Sequence, residues 1–356
     1  MRIESLGLEN VRSVEWIDAT QEIRLIDQRL IPFEISFTNL STTSEVNDAI
    51  KKMVVRGAPA IGVTAAYGMV LAVKETLDFP SEKRFTFIKE KYDELISTRP
   101  TAVDLENCAR KVLDVAIESH YSIEKALKSA QNITEEILTQ CKQIGIEREK
   151  IIKDNDSILT HCHAGALATV DYGTALAPIH CAHDNGKSLI VFVDETRPRL
   201  QGAKITAWEL SENGINHHII TDNMAAHFMS EGRINKVILG ADRCLLDGSI
   251  VNKIGTLNVA IIAKHYDIPF YSAFPWSTID YNSESAEDVE IEYRDENEVK
   301  YVMRNKEEIL IANDSSPALN PAFDITPPNL ITGYITPKGV IDRTELEEYV
   351  EKERKN

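Results

Sequence analysis

Ser157-Ile158-Leu159-Thr160-His161-Cys162-His163-Ala164-Gly165 opens with a short apolar run and closes on glycine. The run is too short for a helix of ordinary length and reads as a buried strand. Similar runs follow at Leu189 to Val193, His218 to Thr221, Val237 to Leu239 and Phe270 to Ala273. Between them lie segments with helical patterning: Gly165 to His183, Leu200 to Asn213, Met224 to Glu231 and Thr256 to Tyr266. Strands alternating with helices imply βαβ units and a parallel sheet with helices on both faces.

In an open parallel sheet, ligands sit beyond the carboxyl ends of the strands. The first run ends in Thr160-His161-Cys162-His163, the second in Asp194-Glu195-Thr196-Arg197, the third in Asp222-Asn223 and the fourth in Gly240-Ala241-Asp242-Arg243. Three ends carry a carboxylate and one a thiol. Cys162 before a Gly-containing helix start would sit at the positive end of a helix dipole, a setting that favours thiolate. Free cysteines are more often small buried hydrophobes. Strand alternation would place His161 and His163 on one face and Cys162 on the other, which argues against a shared metal. Asp242 follows Gly240-Ala241, where a ligand could approach the backbone, though an aspartate there could equally cap the next turn. Lys253, in Asn252-Lys253-Ile254-Gly255-Thr256, could donate to phosphate or hydroxyl oxygens; a solvated lysine is the plainer reading.

Upstream, the chain reads differently. Trp16-Ile17 and Ile23 to Ile26 flank a turn-like Asp18-Ala19-Thr20, as in antiparallel strands. Thr42-Thr43-Ser44-Glu45 fits a capping box. Arg56-Gly57-Ala58-Pro59 starts a second helix, with proline at a favoured early position. A guanidinium beside unpaired backbone N–H groups makes a reasonable phosphate site. Arg99-Pro100-Thr101 is a weaker anion candidate. Ala60 to Val73 reads as a buried, small-residue helix, followed by helices over Arg84 to Ser97, Val103 to Ser119 and Ser122 to Cys141. A polar junction spans residues 145–155. We therefore divide the chain into an N-terminal strand-and-helix domain, 1–150, and an α/β domain, 151–356, that ends in a charged helix or frayed tail from Arg343. Its 356 residues favour two such units over one core.

A net charge of −17 without any Lys/Arg run makes nucleic acid a poor partner, since affinity for a phosphate backbone needs clustered cations. No apolar window is long enough to span a membrane, and the N-terminus lacks a signal-peptide core, so a cytoplasmic protein is expected. The five cysteines are scattered, with no Cys-x-x-Cys pair, so reduced thiols are expected rather than disulfides or structural zinc. Gly-x-Gly-x-x-Gly and Walker-type motifs are absent; dinucleotide and P-loop readings lack support, and no cofactor is called for.

Several strings together resemble one family: Met53-Val54-Val55-Arg56-Gly57-Ala58-Pro59-Ala60-Ile61-Gly62, Leu159-Thr160-His161-Cys162, Glu195-Thr196-Arg197-Pro198 through Leu200-Gln201-Gly202-Ala203, Gly240-Ala241-Asp242-Arg243, Asn252-Lys253-Ile254-Gly255-Thr256 and Asn320-Pro321-Ala322-Phe323-Asp324-Ile325-Thr326-Pro327. Their order and spacing are similar to those of the methylthioribose-1-phosphate isomerases, within the group that includes regulatory subunits of translation initiation factor 2B. The resemblance implies a Rossmann-like doubly wound sheet, a smaller helical N-terminal unit and a homodimer. It also implies an aldose–ketose isomerisation of 5-methylthioribose 1-phosphate in methionine salvage. On this reading Cys162 and Asp242 are catalytic, Asp242 as acid–base partner of the sugar oxygens and Cys162 as C2 base or shaper of a hydride path. Arg56, Gly57, Ala58, Arg99, Gln201, Asn252 and Lys253 contact substrate. The family often has Asn after the cysteine; here it is His163, which bears on substrate identity. Two other readings are a ribose-1,5-bisphosphate isomerase and a non-catalytic initiation-factor subunit.

Overall fold

Trp16 faces Ile23 across an antiparallel pair of strands, β1 (Val14–Ile17) and β2 (Glu22–Ile26), and β3 (Phe37–Leu40) adds to β2. The computed structural model from which this is read describes residues 1, 3–99, 103–304 and 307–354, without the side chains of residues 147 and 148. Pro100 and Thr101 of the second anion candidate, and the last residues of the charged tail, lie outside the described residues. The capping box forms as read: Thr42 accepts from the Glu45 N–H, and Glu45 reaches back to the Thr42 N–H, starting α1 (Thr43–Lys51).

In α2 (Ala58–Lys74) every residue from Ala58 to Val73 is buried. A helix apolar on all sides belongs inside a bundle. Here α3 (Ser81–Ile96), α4 (Val103–Glu118) and α5 (Ile123–Arg148) pack around it, and their shared core runs from Val14 to Cys141 with Val170. The expected polar junction at 145–155 is a correction. The apolar stripe of α5 continues through Ile137 and Cys141 to Ile144, so the helix runs to Arg148 and a 3-10 turn follows at Glu149–Ile151. Ile144 already packs in the next core.

That core surrounds a seven-stranded sheet. Its chain order is β4 (Asp156–Thr160), α6 (Leu176–Asp184), β5 (Leu189–Asp194), α7 (Ala207–Glu212), β6 (His217–Ile220), α8 (Ala225–Ser230) and β7 (Lys236–Gly240). A short excursion, β8 (Arg243–Cys244) and β9 (Ile250–Lys253), precedes α9 (Thr256–His265) and β10 (Phe270–Ala273). Then come α10 (Asn297–Lys300), the hairpin β11 (Tyr301–Arg304) and β12 (Glu307–Leu310), β13 (Phe323–Thr326), β14 (Gly333–Ile335), β15 (Val340–Ile341) and α11 (Arg343–Arg354). Leu346 and Val350 anchor α11 to the core, so the C-terminal stretch is a docked helix as far as Arg354.

The sheet order is β15-β14-β10-β7-β4-β5-β6, parallel except for the edge strand β15. The chain lays β4, β5 and β6 outward in one direction, then returns to place β7 beside β4. The strand order therefore reverses between β4 and β7, which opens a crevice at their carboxyl ends.

Two expected helices need correction. Gly165 to His183 begins with only a 3-10 turn, Ala166–Ala168, and α6 starts at Leu176. Leu200 to Asn213 opens with a π-turn, Gly202–Thr206, before α7.

Candidate active site

Cys162 lies two residues beyond β4 and Asp242 two beyond β7, on either side of the switch point. Both line one cavity of 540 Å³. So do Arg56, Gly57, Ala58, Arg99, Gln201, Asn252 and Lys253, so all nine residues singled out in the sequence come together in space.

Cys162 is held by its backbone. Its φ of +64° is in the left-handed region, which an L residue adopts only under constraint. The Cys162 N–H donates to Thr196 Oγ1 at 2.8 Å, and Thr206 Oγ1 donates to the Cys162 carbonyl at 2.7 Å. The sulfur receives Gln201 Nε2 at 3.2 Å and faces Arg56 Nη2 at 3.9 Å. The expectation of a helix start behind the thiol is overturned: with α6 not beginning until Leu176, the neighbours of the sulfur are side chains rather than a helix dipole. The kink at Cys162 also ends the alternation expected for His161 and His163.

The two histidines have separate partners. His161 Nδ1 lies 2.9 Å from Asp194 Oδ2. His163 Nδ1 lies 3.0 Å from Thr206 Oγ1, and its Nε2 lies 3.5 Å from Glu209. Burial, the largest influence, pushes His163 down to about 3, and the nearby Arg56 adds to this against the opposing pull of Glu209. His163 is therefore neutral. Glu209 also accepts from His180 and from the Ala166 N–H. Burial would raise its carboxyl, but the histidine and amide contacts outweigh that and bring it down to about 2.

Of the three strand-end carboxylates, only Asp242 lines the cavity. Asp222 accepts from the backbone N–H groups of Thr196 and Arg197 at 2.7 Å each, and Asp194 is committed to His161. His161, Asp194 and Asp222 form a compact group of possible metal ligands. Both nitrogens of His161 and both oxygens of Asp222 already have hydrogen-bond partners, which argues for a structural cluster. No described residue bonds the carboxylate of Asp242, whose backbone N–H is fixed to the Val251 carbonyl.

The cavity is rich in cations, and half of them are paired with carboxylates. Arg29 forms a two-pronged pair with Asp27, Lys52 pairs with Asp48, and Arg199 and Arg294 share Glu298. Lys204 donates to the Met303 carbonyl. Arg56 and Arg99 have no carboxylate partner among the described residues. Arg56 Nη1 and Arg99 Nε are buried without any acceptor. Beside them is the N-terminus of α2, which has no side-chain cap. Gly57 is obligatory there: its φ is +102°, and a Cβ would lie 2.3 Å from the Ala168 carbonyl oxygen. The N-terminus of α9, in contrast, is capped by Asp324, which accepts from Gly255 and Leu257. Lys253 Nζ donates to the Ala322 carbonyl at 2.9 Å and sits 4.0 Å from the centre of the Phe323 ring. Burial holds it down to about 8, against the pull of Asp242 and Cys162.

Sequence reasoning missed Arg294, Lys204 and the hairpin residues Tyr301, Val302 and Met303, which wall the cavity. Lys204 directly follows the Leu200 to Ala203 string, while Arg294 and the hairpin come from far along the chain. Only the proximity of Arg294 to the family-like Asn320 to Pro327 string could have pointed to it.

Comparison with known proteins agrees with this architecture. A chain from Pseudothermotoga lettingae named methylthioribose-1-phosphate isomerase 1 is 46% identical over 320 residues, covering 89% of this chain and 91% of that one. The crystal structure of 5-methylthioribose 1-phosphate isomerase from Pyrococcus horikoshii OT3 superposes with a TM-score of 0.85 at 34% identity, covering 99% of both chains. A structure described as translation initiation factor eIF-2B, subunit delta, from A. fulgidus gives 0.80 at 38% identity over 95% of this chain and 100% of that one. Residues 54–343 match the model of the Initiation factor 2 subunit family, and the chain belongs to it.

Proposed function

We propose that this protein is an aldose–ketose isomerase that converts 5-methylthioribose 1-phosphate to 5-methylthioribulose 1-phosphate, a step of methionine salvage. The observation that carries the reading is the meeting, in one cavity, of Cys162, an Asp242 carboxylate that no described residue bonds, and two arginines with no carboxylate partner among the described residues. Homologues of similar length bear the isomerase name, which supports the substrate.

The substrate's C1 oxygen is a phosphate ester, so opening the ring requires a proton at the ring oxygen and leaves positive charge at C1. Asp242 is placed to handle that proton, with Lys253 beside it. The hydrogen at C2 must then reach C1, either as a proton through the Cys162 sulfur or as a hydride within the substrate. Loss of the O2 proton completes the ketose. Arg56, Arg99, Lys253 and the open N-terminus of α2 hold the phosphate. Gln201 and Arg56 orient the sulfur, and Gly57 and Ala58 let the phosphate approach the backbone. Asn252 is fixed by its bond to Thr256 and presents a polar edge to the sugar.

The pattern of paired cations favours a substrate with one phosphate. Arg29, Arg199 and Arg294 each have an acidic partner, so a second phosphate, as in ribose 1,5-bisphosphate, would have to displace one. Met53, Leu200, Val302 and Met303 offer an apolar wall suited to a methylthio group. The likeness to the eIF-2B subunit keeps a protein-binding role as the second reading. The division at residue 150, a homodimer and a cytoplasmic setting belong to the same proposal; among the described residues no helix is long and apolar enough to cross a membrane.

The test is turnover of the purified protein on 5-methylthioribose 1-phosphate, with ribose 1,5-bisphosphate alongside. Ketose from the first alone supports the proposal. Activity on the second alone replaces the substrate, and a folded protein silent on both favours the binding-subunit reading. Running the reaction in D2O separates proton transfer, which admits solvent deuterium at C1, from a hydride shift, which does not.

A further inference from the structure

His161 is buried, and both of its ring nitrogens face acceptors. Nδ1 lies 2.9 Å from Asp194 Oδ2 and Nε2 lies 2.9 Å from the carbonyl oxygen of Ile254. A carbonyl oxygen can only accept, so Nε2 carries a proton. An ionised Asp194 can also only accept, so Nδ1 carries the other, and the ring is an imidazolium. Burial alone would push its pKa down; the hydrogen bond and charge of Asp194, helped by Cys162 and Asp222, outweigh it and bring the ring up to about 9. Burial raises Asp194 to about 6 despite His161, which leaves it ionised at neutral pH. The charged and titratable groups facing the ring are Asp194 from β5, Asp222 from beyond β6, Cys162 from beyond β4 and Asp324 from β13.

The ring joins three separate pieces of chain. His161 follows β4 directly and precedes Cys162, Asp194 ends β5, and Ile254 follows Lys253 at the end of β9. The Ile254 N–H and Lys253 Nζ both donate to the Ala322 carbonyl, so the carbonyl that His161 grips belongs to the turn that aims Lys253. At Gly255 a Cβ would lie 2.8 Å from His161 Cε1, so the imidazole packs directly on that turn where α9 begins.

We propose that His161 is a positioning residue: held by Asp194, its doubly protonated ring pins the Lys253 turn to the strand end that carries Cys162, and so fixes the distance between the phosphate grip and the reacting sulfur. The kinetic consequence rests on the isomerase reading; the protonation and the brace do not.

The experiment uses the whole protein labelled with 15N-histidine. At neutral pH one histidine should show both ring nitrogens protonated, keep that state to about pH 9, and vanish from the spectrum in His161→Gln. His161→Ala should lower kcat/KM by about 10²-fold, mostly through KM, because a cation displaced by about 1 Å no longer matches the phosphate. Asp194→Asn is the informative companion. Its carboxamide can donate to the Nδ1 of a neutral ring while Nε2 still donates to Ile254, so the brace survives without charge and the loss should stay within about tenfold. A merely structural histidine would lower the unfolding midpoint and leave KM unmoved. A neutral His161 at neutral pH, or a folded and active His161→Ala protein with unchanged KM, overturns the proposal. Should the unaltered protein fail to turn over the phosphosugar, the isomerase reading falls, and the NMR result still decides the brace.

Discussion

Replacing Lys253 by methionine should stabilise the empty protein near neutral pH while ending turnover. Methionine keeps the apolar length of the side chain against Phe323 and removes the ammonium. In the folded protein burial holds Lys253 down to about 8, from an ordinary 10.5. Below pH 8 the ammonium is charged in both states, and the folded state bears the full burden of keeping it out of water. Between about 8 and 10.5 the unfolded chain binds one more proton than the folded one, so stability rises with pH across that window. The gap between those two values corresponds to about 3 kcal/mol. This is an upper bound, because the ammonium keeps one side on the cavity. Losing the bond to the Ala322 carbonyl offsets about 1 kcal/mol, which leaves a net gain of about 2 kcal/mol for Lys253→Met near pH 7. Urea unfolding of both proteins at about pH 7 and about pH 10 reads this out, and other titrating groups cancel in the comparison. The variant should be the more stable at the lower pH, and its advantage should shrink at the higher. A variant less stable at pH 7, or an advantage independent of pH, would refute the account of Lys253 as a cation strained by burial for the sake of binding.

Cys162→Ser and Asp242→Asn should each reduce kcat by at least about 10³-fold with the unfolding midpoint little changed, since neither side chain packs a core; near-normal turnover in either folded variant would sink the assignment. Gly57→Ala should cost about 3 kcal/mol of stability, from a φ of +102° and a Cβ driven to 2.3 Å from the Ala168 oxygen, and should raise KM by tilting the α2 N-terminus. Denaturation and steady-state kinetics on the same preparation check both effects. His163→Asn should make the fold less sensitive to acid. The buried ring stays neutral down to about 3 while an unfolded histidine protonates near 6.5, so over that window the unfolded state binds more protons and stability is lost as the pH falls. Urea midpoints at about pH 7 and about pH 4.5 should lie closer together in the variant than in the parent, and an equal or wider gap would show that His163 is not the group responsible.

The sheet was legible because its strands are short apolar runs with helices between them, and burial on both faces leaves that pattern little freedom. Thr42 and Glu45 were legible for a different reason: a capping box is a local contract between residues three apart. What escaped was set by partners distant in sequence. Strand β9 pairs with β13 some seventy residues on, and the β11–β12 hairpin has half-exposed strands with no clear alternation. The segment after Gly165 has the composition of a helix. Yet the Thr174 N–H donates to the Ala164 carbonyl, and Thr169 Oγ1 accepts from the Gly173 N–H and donates to the Asp171 carbonyl, and those bonds take the place of the first helical turns.

The same contrast explains why the site could be read and its chemistry could not. Any doubly wound sheet puts its ligand beyond the carboxyl ends of its strands, so the runs were enough to put Cys162 and Asp242 among the candidates, and the family resemblance singled them out. Whether a carboxylate there is free to act depends on what else claims it. Asp194 and Asp222 stand at equivalent strand ends and look the same in the sequence, but one is bonded to His161 and the other to two backbone amides. Asp242 differs only in what it lacks: no described side chain or amide bonds its carboxylate, and the nearby cation is a lysine whose hold on its own proton burial has weakened. A proton can move to and from such a group without breaking the structure around it. On the proposed reading, the two bonded aspartates hold the loops in place and the third does the chemistry.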